Sequence, residues 1–132
     1  MPIENRFGES SPLSIGVEEE VMLLEAETHA PVGAVRELLA ATEGQELPGT
    51  LKTELHASVV ELTTGVCASV EEAVDSLRVL RTRTSAALEG LGLTMAAAGS
   101  HPFAEPEDSR SPTRSATWRW SATQASPPGG RA

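Results

Sequence analysis

Tyrosine is absent from the 132-residue chain, and only two tryptophans and two phenylalanines are present. Aliphatic residues and alanine therefore have to supply most of any core. Cysteine occurs once, as Cys67, which excludes an internal disulfide and fits a reducing compartment. With Val66 and Ala68 beside it, Cys67 reads as a small buried hydrophobe rather than a nucleophile. Positive charge is scarce: ten Lys and Arg against 19 Asp and Glu give a formal net charge of -9. Such a chain lacks the cations that neutralise a phosphate backbone, so nucleic-acid binding is not expected. The acidic balance would suit a site that gathers divalent cations, although solubility alone also accounts for it. No apolar run approaches membrane-spanning length, and the first six residues lack a basic region followed by an apolar stretch. Neither membrane contact nor a signal peptide is expected, and a cytoplasmic location follows as the expectation.

What is present divides the chain into three parts. Residues 1–12 form a polar lead-in with Gly8, Ser10, Ser11 and Pro12 as breakers. Residues 13–108 carry the structural signals. Leu13 to Leu24 predicts a strand, with Ile15, Val17, Val21 and Leu23 on one parity. After a turn at Thr28 to Pro31, Val32 to Thr42 predicts a short helix ended by Gly44. Glu46 to Thr50 reads as a loop around Pro48 and Gly49. Ala57 to Thr64, rich in β-branched residues, predicts a second strand. Ser69 and Glu72 then carry a capping-box signature. Behind it Val70, Ala73, Val74, Leu77, Leu80, Ala87, Leu88 and Leu91 recur at helical spacing, with Gly90 or Gly92 closing the helix. Leu93 to Ala98 predicts a third strand. The order implies an α+β domain whose antiparallel or mixed sheet carries helices on one face.

Two acidic motifs carry the chemistry. In Gly16-Val17-Glu18-Glu19-Glu20, alternation along a strand points Glu18 and Glu20 the same way, with Gly16 clearing space beside them. Glu19 falls on the apolar parity, which calls for a bulge or an arginine partner. The second motif runs from Lys52 to Glu61. It places Glu54 just before the second strand and Glu61 within it. If the first two strands pair, Glu18, Glu20, Glu54 and Glu61 converge as an oxygen-only set suited to Mg²⁺, and such ions clamp the phosphates of ATP. A run of three glutamates is more often a solvated face. Here the glutamates sit inside apolar strand-like runs, where a charge needs a partner or a metal.

Four motifs occur in order: Gly-Val-Glu-Glu-Glu, Lys-x-Glu-Leu-His-x-Ser-x-Val-Glu, Val-Cys-Ala-Ser-Val and Ala-Ala-Gly-Ser-His-Pro-Phe. Together, over about Leu13 to Glu105, the chain resembles the opening third of the glutamate–cysteine ligase type 2 (carboxylate–amine ligase) family. That resemblance implies an incomplete glutamine synthetase-like sheet, with ATP and Mg²⁺ at the site. It implies ligation of glutamate, through its γ-carboxylate, to cysteine or a related amine by way of an acyl phosphate. By the same resemblance Glu18 and Glu20 match the first metal-binding pair, Glu54 and Glu61 the acidic positions of the second motif, and Ser100 and His101 a substrate-binding loop. His56 lies inside a motif but reads as structural, and His29 is assigned no role. Full-length members are several times longer, so a truncated ligase, inactive alone, is expected; the alternative is a non-catalytic acidic remnant that binds cations or nucleotide. A homo-oligomeric state in full-length relatives stays open.

From Ser109 the character changes. Residues 109–132 contain no Asp, Glu, Val, Ile, Leu or Met, and hold both tryptophans, Trp118 and Trp120. Such a segment has little with which to build a core and is expected to be disordered. We read a reading-frame shift near Asp108 as its origin, with a natural disordered tail as the alternative. Trp118-Arg119-Trp120 is able in principle to bind a partner, though accident of composition is the preferred reading.

Overall fold

Hydrophobic alternation in three segments and one long amphipathic stretch build a four-stranded sheet with two helices. The computed structural model describes residues 8–9 and 13–104. The lead-in over 1–12, apart from Gly8 and Glu9, and the tail over 109–132 lie outside the described residues. In chain order the elements are β1 (Glu18–Glu25), α1 (Val35–Ala41), β2 (Gly49–Thr53), β3 (Val59–Thr64), α2 (Val70–Gly90) and β4 (Leu93–Ala96). The strand order is β2-β3-β1-β4, and every neighbouring pair is antiparallel. The domain is therefore α+β, as its residue pattern implied.

Alternation assigns the two faces. Val21 and Leu23 of β1, Val60 and Leu62 of β3, Val35 and Leu38 of α1, and Leu80 and Leu88 of α2 join in one buried cluster. Both helices thus cover the same face of the sheet. The other face presents Glu18, Glu20 and Met22 of β1, Glu61 and Thr63 of β3, and Lys52 of β2. This assignment follows from strand alternation combined with the pairing register.

β2 corrects the expected loop at Glu46 to Thr50. Its five residues, Gly-Thr-Leu-Lys-Thr, have only Leu51 as a large apolar side chain, so no strand pattern stands out. What makes it a strand is its partner: Leu51 lies opposite Leu62, and Lys52 opposite Glu61. Gly49 permits the close approach, because a Cβ there would lie 2.0 Å from the carbonyl oxygen of Thr63. The first strand begins at Glu18 rather than Leu13. Its lead-in still pairs, since Ile15 donates to the Cys67 carbonyl at 2.9 Å and Cys67 donates back at 2.8 Å. That bridge buries Cys67, whose thiol donates to the Gly65 carbonyl at 3.4 Å.

α2 begins as its cap requires. Ser69 Oγ accepts from the Glu72 amide at 3.2 Å, and Glu72 reaches back to the amide of Ala68, one residue beyond the usual capping-box partner. The buried stripe is Ala73, Leu80, Thr84 and Leu88, flanked by Leu77 and Ala87. Val70, Val74 and Leu91, expected on that stripe, are exposed. Val70 is the first helical residue, and Leu91 follows the last turn as its C-cap.

Thr84 takes a central place in the stripe with 0% exposure, and its Oγ1 finds no hydrogen-bond partner. A buried hydroxyl without a partner costs about 1–3 kcal/mol. Thr84→Val keeps the shape and removes the orphaned oxygen. The variant is expected to unfold at higher denaturant concentration than the parent by about 1 kcal/mol, read from urea melts followed by circular dichroism.

Candidate functional site

The glutamate triplet splits across the sheet because successive strand residues point to opposite faces. Glu19 turns under α2, where a carboxylate needs compensation. Arg81 of α2 supplies it: Nε donates to Glu19 Oε2 at 2.7 Å, and a terminal guanidinium nitrogen donates to Oε1. The contact is a bidentate fork, the strongest geometry for this pair. Glu19 holds the guanidinium above its usual range by hydrogen bonding first and by charge second. The arginine partner, not a bulge, accounts for Glu19 on the apolar parity. Glu19 is thereby a fold residue.

Glu18 and Glu20 face the uncovered side. Register sets Glu20 directly opposite Glu61, and Glu61 opposite Lys52, in one row across β1, β3 and β2. Glu61 Oε1 accepts from Thr63 Oγ1 at 2.6 Å and from Lys52 Nζ at 2.9 Å. These two donors, Thr63 first, hold the Glu61 carboxyl below the usual glutamate range. In return Glu61 raises Lys52. Lys52 Nζ also lies 3.8 Å from Glu18 Oε1. One ammonium therefore serves two carboxylates, and Glu20 adds a third negative charge next to them. Glu54 accepts from the Leu55 amide at 2.8 Å, and its side chain also hydrogen-bonds with Glu61, helping to hold that carboxyl low.

Gly16 has no heavy atom within 4 Å of a built Cβ, so it stands in open space and clears nothing. Among the described residues, no group of three or more His, Cys, Asp or Glu side chains is gathered closely enough to hold a metal ion. The four expected acids thus do not form one closed cage. The arrangement is Glu20 opposite Glu61, with Glu54 against Glu61 and Lys52 joining Glu61 to Glu18.

A cavity of about 610 Å³ opens beside β1, lined along that strand by Glu19, Glu20, Val21 and Met22 and across from them by His56, Val59, Ser100 and His101, among others. Of the expected site residues, Glu20, Ser100 and His101 share this cavity, while Glu18, Glu54 and Glu61 lie outside its lining. Ser100 is exposed at its rim. Both ring nitrogens of His101 are engaged by backbone. Nδ1 accepts from the Ala104 amide at 3.1 Å, and Nε2 donates to the His29 carbonyl at 2.8 Å. A carbonyl only accepts and an amide N–H only donates, so these partners define the Nε2–H neutral tautomer. His101 ties the loop after β4 to the turn after β1. His29 itself has a φ of 56°, a left-handed conformation that aims its carbonyl at His101.

Lys52 and Thr63 had no role in the motif-based reading. Thr63 was legible from alternation within β3, two residues from Glu61, whereas Lys52 becomes visible only once β2 is recognised as a strand and register places it across from Glu61.

A model of glutamate-cysteine ligase family 2 (GCS2) matches residues 14–128, most of the chain, and the match runs on past Asp108. The chain belongs to that family. Among similar proteins is one from Rubrobacter xylanophilus named "Putative glutamate--cysteine ligase 2-3". It is 43% identical over 101 residues, covering 76% of this chain and 28% of the relative. A protein of Ralstonia pickettii named "Putative glutamate--cysteine ligase 2" is 36% identical over 97 residues, covering 74% of this chain and 26% of the relative. A second Rubrobacter xylanophilus protein, "Putative glutamate--cysteine ligase 2-1", is 36% identical over 110 residues, covering 83% and 29%. The chain spans less than a third of the length of each of these relatives. No helix among the described residues is long and apolar enough to cross a membrane.

The Lys52–Glu61–Thr63 contacts predict an acid-sensitive contribution to stability. A carboxyl lowered in the folded state stabilises above the ordinary glutamate value of about 4.3. That contribution is lost as pH falls through the lowered native value. Glu61→Gln is expected to differ most from the parent near neutral pH and to converge with it on acidification between about pH 5 and pH 3. Urea midpoints measured across that range check it.

Proposed function

We propose that this chain supplies part of the site of an ATP-dependent carboxylate–amine ligase of the glutamate–cysteine ligase type. The observation that carries the reading is the Glu20–Glu61 pair, opposed across β1 and β3 on the uncovered sheet face beside the cavity. Family membership gives that pair its context.

The donor chemistry fits Mg²⁺. The ion prefers oxygen, and it is commonly held by one or two carboxylates with phosphate oxygens and water completing its shell. Two carboxylates directly opposite each other repel unless positive charge stands between them. Lys52 already provides one such charge at Glu61, which marks the face as a place where a cation is favoured. Glu20 and Glu61 would hold the ion, with Glu18 next to them. Bound there, Mg²⁺ would offset the negative charge of the ATP phosphates.

The chain's own groups then have distinct tasks. Lys52 offers an ammonium to phosphate oxygens. Ser100 offers a hydroxyl at the cavity rim for the amino-acid substrate. His101 acts as a positioning residue, fixing the Ser100 loop through its backbone hydrogen bonds. In the proposed reaction the γ-carboxylate of glutamate attacks the γ-phosphate of ATP, forming an acyl phosphate and releasing ADP. The amine of cysteine or a related acceptor next attacks the acyl carbon, and phosphate leaves. Holding the reactants in line is the main contribution asked of such a site.

A second reading rests on the chain's span of 26–29% of its relatives. It is a cation- or nucleotide-binding remnant without turnover. ATP hydrolysis coupled to glutamate and cysteine separates the two, since turnover supports ligation, and Mg²⁺-dependent nucleotide binding without turnover supports the remnant.

Both readings need the carboxylate pair to bind a divalent ion, and Mn²⁺ tests this as a paramagnetic probe. It is expected to broaden the backbone amide signals of residues 18–20 and 59–63 selectively. Glu61→Gln is expected to weaken that effect at least about tenfold, a scale reached even when outer-shell partners of a metal are lost. Uniform broadening, or broadening untouched by Glu61→Gln, contradicts the assignment.

A further inference from the structure

The sheet face opposite the helices carries two features that call for an occupant. Among the described residues, Glu18, Glu20 and Glu61 stand against the one ammonium of Lys52, a net negative balance on this face. Beside them the cavity of about 610 Å³ exposes Met22 and Val59. This volume lies within the roughly 300–1,000 Å³ of sites that enclose small apolar ligands.

The same chain contains a segment of complementary chemistry. Residues 109–132 carry four arginines, Arg110, Arg114, Arg119 and Arg131, and no acidic residue, while all 19 acidic residues lie in residues 1–108. Both tryptophans of the protein fall in this segment and flank Arg119. An indole pairs a large apolar surface with one N–H donor, and a guanidinium matches a carboxylate in a fork. Ala104, the last described residue before the segment, itself lines the cavity. Fourteen residues lead from there to Trp118. Fully extended, a chain of that length spans at most about 46–50 Å, and crossing from β4 to β2 takes only about 14 Å. Tethering at this range gives an effective concentration on the order of millimolar, so even a weak contact is populated.

We propose that Trp118-Arg119-Trp120 docks on the uncovered sheet face of its own chain. An indole enters the cavity beside Met22 and Val59, and Arg119 pairs with the Glu18 and Glu20 carboxylates. A divalent ion and this segment then compete for Glu20. The docking itself does not depend on the ligase reading.

Because Trp118 and Trp120 are the only tryptophans, intrinsic fluorescence reports the contact directly. The full chain is compared with a synthetic peptide of residues 105–132. The expected result is an emission maximum shifted to the blue and weaker acrylamide quenching in the full chain. The shift is lost in Arg119→Glu, which leaves the described domain untouched, and in the double variant Glu18→Lys, Glu20→Lys. Emission and quenching equal to those of the free peptide overturn the proposal, as does a shift retained in Arg119→Glu. A shift that grows with protein concentration also overturns it, since that marks docking between copies.

Discussion

The antiparallel register between β1 and β3 is the constraint on which the other features rest. It sets Glu19 opposite Leu62 and Glu20 opposite Glu61. Alternation then decides that one glutamate of the triplet turns under α2 and its neighbours turn away. A slip of one residue would exchange the faces, burying Glu18 and Glu20 and exposing Val21 and Leu23. The buried cluster of Val21, Leu23, Val60 and Leu62 makes that slip costly. The Glu19–Arg81 fork adds directional specificity, because only the observed register brings the carboxylate under the guanidinium. Hydrophobic packing and one ion pair thus jointly fix which acids remain available for chemistry.

The arrangement on the free face is open rather than caged. Glu20 and Glu61 are opposed, Lys52 sits between Glu61 and Glu18, and the adjoining cavity gathers Glu20, Ser100 and His101. Such a ledge is suited to a cation that takes much of its coordination from phosphate and water. It also explains why Lys52 stands where it does: three carboxylates on neighbouring strands repel unless some positive charge is shared among them. His101 contributes differently from the acids. Its hydrogen bonds to His29 and Ala104 spend both nitrogens on holding two loops together, so it shapes the cavity wall.

Much of this was legible from residues alone, for physical reasons that can be named. β1 and β3 announce themselves by β-branched and alternating apolar residues, and α2 by its cap and its repeating aliphatics. The misplaced parity of Glu19 was itself a signal for an arginine partner. β2 was not legible, because an edge strand with one apolar side chain looks like a loop until its partner is known. Losing β2 also hid Lys52, whose meaning comes from facing Glu61 across the hairpin. Thr84 was invisible in the helical pattern because a polar residue is not counted toward an apolar stripe, although it lies at the stripe's centre. The convergence of four acids was expected from pairing alone; Glu54 does reach Glu61 from the loop before β3 while also accepting from the Leu55 amide, a local turn that no residue pattern encodes.

The split orientation of the triplet is the central claim, and a double-mutant cycle between Glu19 and Arg81 tests it most directly. Unfolding free energies of the parent, Glu19→Gln, Arg81→Met and the double variant are compared. A fork reaching from α2 to a carboxylate under it predicts that each single change destabilises, that the double variant recovers part of the loss, and that the coupling is about 1 kcal/mol or more. Strictly additive effects, with no coupling between the two positions, would mean that Glu19 does not lie under α2, and the assignment of Glu18 and Glu20 to the free face would go with it.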